Sequence, residues 1–174
     1  SGLSDMFRYN IDGREIVTLR EELTQTENYM GIQKIRFPER FFVEILVEEE
    51  LMECKVLKFI LQPIVENSYK YGFAEKRKKN ILRIHSYRDE SNIIIVIEDN
   101  GAGIEENKVK KINEALAGER GFETAAGIGI RNVNARIKNY YGEDCGVRLE
   151  SEPGNFTRVY LKIRELPFGE KGEI

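Results

Sequence analysis

The chain has 174 residues, 41% of them hydrophobic and 33% charged, with a net charge of −3. That size and balance fit one globular domain with a real core, and they lack the basic excess of a general nucleic-acid binder. The single histidine, His85, excludes sites that need several imidazoles, and no apolar run nears the roughly 20 residues of a membrane span. Cys54 and Cys145 lie far apart with no CxxC or Cys/His cluster; a disulfide stays open, and a reduced cytosolic domain is the simpler reading. The start lacks signal-peptide character, and Ser1-Gly2 reads as a scar of excision from something longer.

Leu3, Met6 and Phe7 read as the last turn of a helix that begins upstream, and 9–13 as a turn. Thr18 and Glu21 have capping-box spacing, a hydroxyl at the N-cap and a carboxylate three residues on. Leu19, Leu23, Thr26 and Met30 follow at helical spacing, with Ile32 and Ile35 extending the apolar side to an end near Phe37, where Pro38 stops the helix. Residues 42–47 alternate as a strand, and Glu48, Glu49 and Glu50 make a solvated turn. The stretch 59–72 predicts a helix closed by Gly72, with Pro63 either starting its regular part or kinking it.

Leu82, Ile84 and Ser86 oppose Arg83, His85 and Tyr87 on a half-exposed strand, and 89–92 turns it back as a hairpin. The β-branched run 93–97 then reads as a strand buried on both faces. A short helix is expected over 108–116 and a mobile, small-residue loop over 117–126. Residues 128–141 form a helix, with Ile130, Val133 and Ile137 on one side and Gly142 after it. Two alternating strands around Val147 and Leu149 and around Val159, Leu161 and Ile163 finish the fold, with a frayed tail from Pro167. The pattern predicts an α+β domain, a two-layer α/β sandwich whose sheet is covered by helices on one face and partly wet on the other.

Four places carry chemistry. Asp99 ends the buried strand beside Gly101 and Gly103, where a carboxylate is costly unless something donates to it; the exocyclic amine of a base would serve, and a solvated strand end is the alternative. Ile60, Ile64, Asn67 and Tyr71 share one helical stripe, so Asn67 needs a partner. Its oxygen suits Mg²⁺ shared with phosphates, and Lys70 could meet a phosphate; equally, Asn67 could cap a loop and Lys70 pair with Glu66. Gly127 and Gly129 open a helix whose bared amides and dipole favour an anion, or serve only tight packing. The pattern fails as a dinucleotide fingerprint because Asn132 replaces the third glycine. Thr157 could help read a base or satisfy its turn, and His85 reads as a strand-surface residue.

Taken in order, these motifs resemble the ATP-binding catalytic domain of sensor histidine kinases, in the gyrase, Hsp90, histidine kinase and MutL superfamily. Glu66-Asn67-Ser68-Tyr69-Lys70-Tyr71-Gly72 looks like the family's N box, 99–104 its first glycine box, and 127–132 its second. The phrase Leu61-Gln62-Pro63-Ile64-Val65-Glu66-Asn67, with Asn28-Tyr29 and Lys34-Ile35-Arg36-Phe37 upstream, is similar to the LytS/YesM-type kinases in particular. The resemblance implies the Bergerat ATP-binding fold with a mixed, mostly antiparallel sheet. It places the end of an upstream dimerisation and phosphoacceptor region at 1–14, the catalytic domain at 15–166 and a tail at 167–174. It implies ATP and Mg²⁺, with Asp99 accepting from the adenine amine, Gly103 letting the base approach, Thr157 assisting and Tyr71 contacting the adenine. Gly101, Ile104 and Ile130 complete the ATP-binding set; Asn67 would hold Mg²⁺, Lys70 would meet phosphate, Gly127 and Gly129 would receive the phosphate chain, and 117–126 would be the ATP lid. Transfer of the γ-phosphoryl would go to a histidine in an upstream domain and then to an aspartate on a response-regulator receiver domain. The parent would be a homodimeric, membrane-anchored bacterial sensor with this domain in the cytoplasm, touching neither nucleic acid nor the membrane.

Two departures matter. His85 sits in a strand and matches no acceptor motif, so this stretch is expected to bind ATP without phosphorylating itself. Pro63 stands where water-activating relatives of the superfamily carry a glutamate, four residues before Asn67, which leaves Glu66 as the nearest carboxylate for a base. Two rivals stay in view. A non-catalytic nucleotide-binding or docking module would lack Mg²⁺-dependent ATP binding. An anti-sigma-type protein serine kinase would phosphorylate a sigma antagonist rather than serve a receiver domain.

Overall fold

The structure, a computed structural model, describes residues 2–36, 41–73, 79–118 and 127–166. The expected helix end at Phe37 and Pro38, residues 119–126 of the expected lid, and the tail 167–174 lie outside the described residues. Helix α1 (Gly2–Ile11), strand β1 (Ile16–Thr18) and helix α2 (Leu19–Arg36) lead into β2 (Phe41–Leu46), the short α3 (Glu49–Met52) and β3 (Lys55–Leu57). Helix α4 (Gln62–Asn67) passes directly into a π-helical turn (Ser68–Gly72). Then come β4 (Asn80–Asp89), β5 (Asn92–Asp99), α5 (Glu106–Leu116), α6 (Ile128–Tyr141), β6 (Gly146–Glu152) and β7 (Phe156–Arg164).

The five-stranded sheet runs β2-β4-β5-β7-β6, with β2 parallel to β4 and every other pair antiparallel. This is the expected two-layer sandwich, and β5 is its middle strand. Ile93, Ile95 and Ile97 face the helices and are at most 1% exposed. Ile94 and Val96, on the other face, are also buried, because long side chains lie over them. Across that face run the ion pairs Glu44–Arg83, Arg83–Glu98, Glu98–Arg158, Arg158–Glu150 and Glu150–Arg148, with the Arg148 guanidinium over the Tyr160 ring. Such pairs are individually worth little in water, but their aliphatic stems cover apolar surface.

Several local expectations change. Helix α1 runs through Ile11, so the turn begins only at Asp12, whose carboxylate accepts from the Arg14 amide, with Gly13 at φ +70°. Where a solvated turn is expected, Glu49 and Glu50 open a short helix, α3, with Glu48 as its N-cap. The capping box is made: Thr18 Oγ1 accepts the Glu21 amide at 3.1 Å and the Glu21 carboxylate accepts the Thr18 amide at 2.8 Å. Beyond Met30, α2 leaves the core. Ile32 is 37% and Ile35 83% exposed, and Gly31 has open space where a side chain would be. A helical stripe in the sequence shows only which residues align, not where the opposing surface ends. Strands β1 and β3 pair in a separate two-stranded ribbon and are too short, at three residues each, to show a period.

Helix α2 positions α4. Glu22 of α2, 1% exposed, accepts the amides of Phe59 at 3.0 Å, Ile60 at 2.8 Å and Leu61 at 3.1 Å, together with the Tyr9 hydroxyl from α1. Burial and the neighbouring Glu22 carboxylate push the Tyr9 phenol far above its ordinary range. The grip holds Phe59 at φ +60°, a left-handed conformation costing a non-glycine residue about 1–2 kcal/mol. Arg136 donates to the Phe59 carbonyl from the other side at 3.3 Å. Pro63 therefore starts the regular helix in its first turn and does not kink it. Replacing Glu22 with Ala strands three amides and a phenol, and an expected loss of about 3–5 kcal/mol in chemical denaturation would register it. A loss below about 1 kcal/mol would show that these bonds do not hold the entry to α4.

Candidate nucleotide site

Between α4, α5, α6 and the ends of β5 and β7 lies a cavity of about 360 Å³, within the size range of small-molecule sites. Its floor is the edge of the core. Asp99 is 3% exposed; its Oδ2 accepts from Ser68 Oγ at 2.7 Å and its Oδ1 from the Gly101 amide at 3.0 Å. Ser68 opens the π-helical turn, closed by the Phe73 amide donating to the Ser68 carbonyl at 2.9 Å. One extra residue per turn of this kind occurs often at functional sites. The turn is backed by an aromatic cluster, with the Tyr69 ring 4.6 Å from Phe41 and 5.7 Å from Phe73, centroid to centroid. Burial pushes the Tyr69 phenol up to about 12.

The glycines have separate reasons. A Cβ on Gly72 would lie 2.8 Å from Asp99 Oδ1, and one on Gly101 would lie 2.1 Å from the Gly72 carbonyl oxygen. Gly103, at φ +68°, would place a Cβ 2.0 Å from the Glu152 carbonyl oxygen. The loop after β5 is thus clamped between two backbones, with Ala102 donating to Gly72 at 2.8 Å and Gly154 donating to Ala102 at 2.6 Å. Gly103 borders the cavity, but close backbone packing already requires it to be glycine. Gly129 differs: a Cβ there would meet Asn67 Nδ2 at 3.7 Å, an ordinary contact.

The structure brings most of the expected residues together. Asn67, Tyr71, Asp99, Gly103, Ile104, Gly127, Ile130 and Thr157 all border the cavity. Gly127 is the N-cap of α6, so the positive end of that helix dipole lies at the cavity wall. Asn67 Nδ2 is buried with no hydrogen-bond partner among the described residues. Four expected residues do not border it. Gly101 and Gly129 lie behind the lining, as their contacts show. Lys70 is exposed, its ammonium 5.2 Å above the Tyr71 ring, and is not paired with Glu66. Glu66 is exposed and accepts from Gln62 Nε2 at 2.9 Å, so the geometry does not bring it to the cavity as a base.

The sequence reading missed Ser68, Gly72, Lys108 and Ile112 of the lining, and Ser151 behind it. Ser68 follows Asn67 directly, and only the π-helical turn aims it at Asp99. Ile112 was legible as the apolar side of α5, but nothing local says that this side faces a cavity. His85 sits on the outer face of the sheet, away from the cavity, as expected for a strand-surface residue, and burial pulls its pKa down.

Residues 54–167 match the family described as histidine kinase-, DNA gyrase B-, and HSP90-like ATPase, and residues 1–41 match the histidine kinase family. The chain belongs to the first of these, a family of ATP-binding domains. It is 31% identical over 160 residues to the sensor histidine kinase/phosphatase LytS of Staphylococcus aureus, covering 89% of this chain and 26% of that protein. It is also 31% identical over 151 residues to the sensor protein LytS of Staphylococcus haemolyticus, covering 86% of this chain and 25% of the relative. The chain thus spans about a quarter of the length of these curated relatives. Among solved structures, the histidine kinase AdeS of Acinetobacter baumannii aligns with a TM-score of 0.62 at 15% identity, covering 95% of this chain and 76% of that one. The catalytic domain of the histidine kinase ThkA aligns with a TM-score of 0.61 at 12% identity, covering 87% and 97%. These two likenesses speak for the fold alone.

The glycine contacts predict a contrast. Gly103→Ala adds a positive-φ cost to a backbone collision and is expected to lose about 2–5 kcal/mol of stability. Gly129→Ala is expected to keep the wild-type melting temperature to within a few degrees, since its Cβ meets only ordinary contacts. Thermal unfolding of the two variants side by side checks both.

Proposed function

We propose that this chain is the ATP-binding catalytic domain of a two-component sensor histidine kinase. It donates the γ-phosphoryl of ATP to a histidine in an upstream dimerisation domain, for relay to a response-regulator aspartate. What carries the reading is Asp99, a buried carboxylate at the floor of a cavity whose walls hold the Asn67 amide and the N-terminus of α6. An acceptor on the floor suits the exocyclic amine of adenine. The helix N-terminus at Gly127 suits the phosphates. Tyr71 offers a ring at the side, and Lys70 beside it offers a positive charge at the rim.

The site fits Mg²⁺ held mainly by its nucleotide. Among the described residues no group of three His, Cys, Asp or Glu side chains is placed to hold a metal. Asn67 presents a carboxamide that has a buried atom without a partner, and a terminal amide can be turned to offer its oxygen. Mg²⁺ keeps several waters and takes phosphate oxygens readily, so one protein oxygen suffices. When bound, it would neutralise charge on the phosphates. The chain's own residues hold and orient the nucleotide; the acceptor histidine and the receiver domain come from partners. Residues 1–14 would close the upstream helical region and 15–166 form the catalytic domain, within a dimeric, membrane-anchored parent. Among the described residues no helix is long and apolar enough to cross a membrane.

Calorimetric titration with ATP, with and without Mg²⁺, tests the proposal: one-to-one binding strengthened by Mg²⁺ is expected. No binding by the folded domain would favour a docking module. Asp99→Asn is expected to weaken binding by about 1.5–3 kcal/mol, roughly ten- to a hundredfold in Kd. Asn67→Ala is expected to abolish the Mg²⁺ dependence, and a variant that stays Mg²⁺-sensitive would remove Asn67 as the ligand. Incubation with γ-labelled ATP is expected to leave this chain unlabelled, because its only histidine, His85, lies on the far face of the sheet.

A further inference from the structure

We propose that Ser151, a residue outside the cavity, sets the base specificity of the site by fixing the direction of the Thr157 hydroxyl proton. The proposal rests on the nucleotide reading given above.

Asp99, Thr157 and Ser151 stand in one row across three strands: Thr157 is the register partner of Asp99 on β5 and of Ser151 on β6. Asp99 and Thr157 border the cavity and Ser151 does not. The Ser151 hydroxyl has one proton and two acceptor sites, and all three are engaged. Its proton goes to the Phe156 carbonyl at 2.6 Å, since a carbonyl can only accept. One acceptor site takes the Ile104 amide at 2.8 Å, since an amide can only donate. The remaining contact, to Thr157 Oγ1 at 3.0 Å, must then have Thr157 as its donor. Thr157 has only that one proton. Toward the cavity it therefore offers lone pairs alone.

Asp99 is fixed in the same sense. Ser68 Oγ and the Gly101 amide both donate to it, so its carboxylate is held as an acceptor at the floor. Register partners on one face of a sheet carry their Cβ atoms about 5 Å apart. The floor thus presents two acceptors side by side, matching the two hydrogens of an exocyclic amine. A 6-aminopurine supplies that amine. A 6-oxopurine puts an acceptor in its place, and its N1–H reaches the carboxylate only if the base slides sideways. Without Ser151, Thr157 regains a rotating hydroxyl that can donate to a 6-oxo group, and the floor loses half of its selectivity.

The test compares Kd for ATP and for inosine triphosphate, both with Mg²⁺, in the wild type, Ser151→Ala and Ser151→Thr. The wild type is expected to prefer ATP on the order of a hundredfold, the cost of leaving a buried acceptor without its donor. Ser151→Ala is expected to narrow the preference to about tenfold or less, mainly by tighter inosine triphosphate binding, and Ser151→Thr to restore it. If Ser151→Ala fails to fold, Ser151→Cys keeps the size with a weak acceptor and is expected to narrow the ratio in the same direction. A folded Ser151→Ala or Ser151→Cys protein with the wild-type ratio overturns the proposal. Equal binding of both nucleotides by the wild type overturns it while leaving the nucleotide site standing. Binding of neither removes the nucleotide reading itself.

Discussion

Glu22 is a carboxylate sealed from water with no cation among its hydrogen-bond partners in the described residues, held instead by three consecutive amides and a phenol. Charged acceptors of this kind are costly to bury and strong once satisfied, so the segment 59–61 has one stable position. That position decides where α4 begins. With its start set, the direction of α4 sets Asn67, the π-helical turn sets Ser68, and Ser68 holds the floor carboxylate Asp99. Helix α2 lies outside the five-stranded sheet, yet the site depends on it through the four hydrogen bonds that Glu22 accepts.

The same chain of contacts joins α1 to the cavity. Tyr9 closes the Glu22 cage and packs edge-on to Phe59 with ring centroids 5.3 Å apart, while Lys58 lies over the Tyr9 ring and pairs with Asp12. Displacing α1 would break the only phenolic bond in that cage. It would also expose Lys58, which is 4% exposed in its side chain. Residues matching the histidine kinase family and residues matching the ATPase family therefore meet in one buried polar cluster.

Much of the fold was legible because it obeys simple periods. The alternation of β4, β6 and β7, the continuous apolar run of β5, the bounds of α6 and the capping box of α2 all follow from local pattern. Part of the site was legible for the same reason: a carboxylate directly after a buried strand and an asparagine within an apolar helical stripe are local anomalies. The losses have equally local causes. Strands of three residues show no period, a stripe through Ile32 and Ile35 does not reveal that the core has ended, and one extra residue per turn at 68–72 changes every direction after Asn67.

By itself the sequence determined which side chains are buried along the longer strands and α6, where those elements begin and end to within a few residues, and which glycines and polar groups needed an explanation. Those are properties of neighbours along the chain. Only the tertiary structure decided that Glu22 holds α4, that Gly103 is glycine because Glu152 approaches it, and that Asp99, Thr157 and Ser151 form one row. These depend on packing, strand order and register, which bring together residues far apart in the chain. A hydroxyl's proton goes where its three-dimensional neighbours direct it, and no spacing in the chain records who those neighbours are.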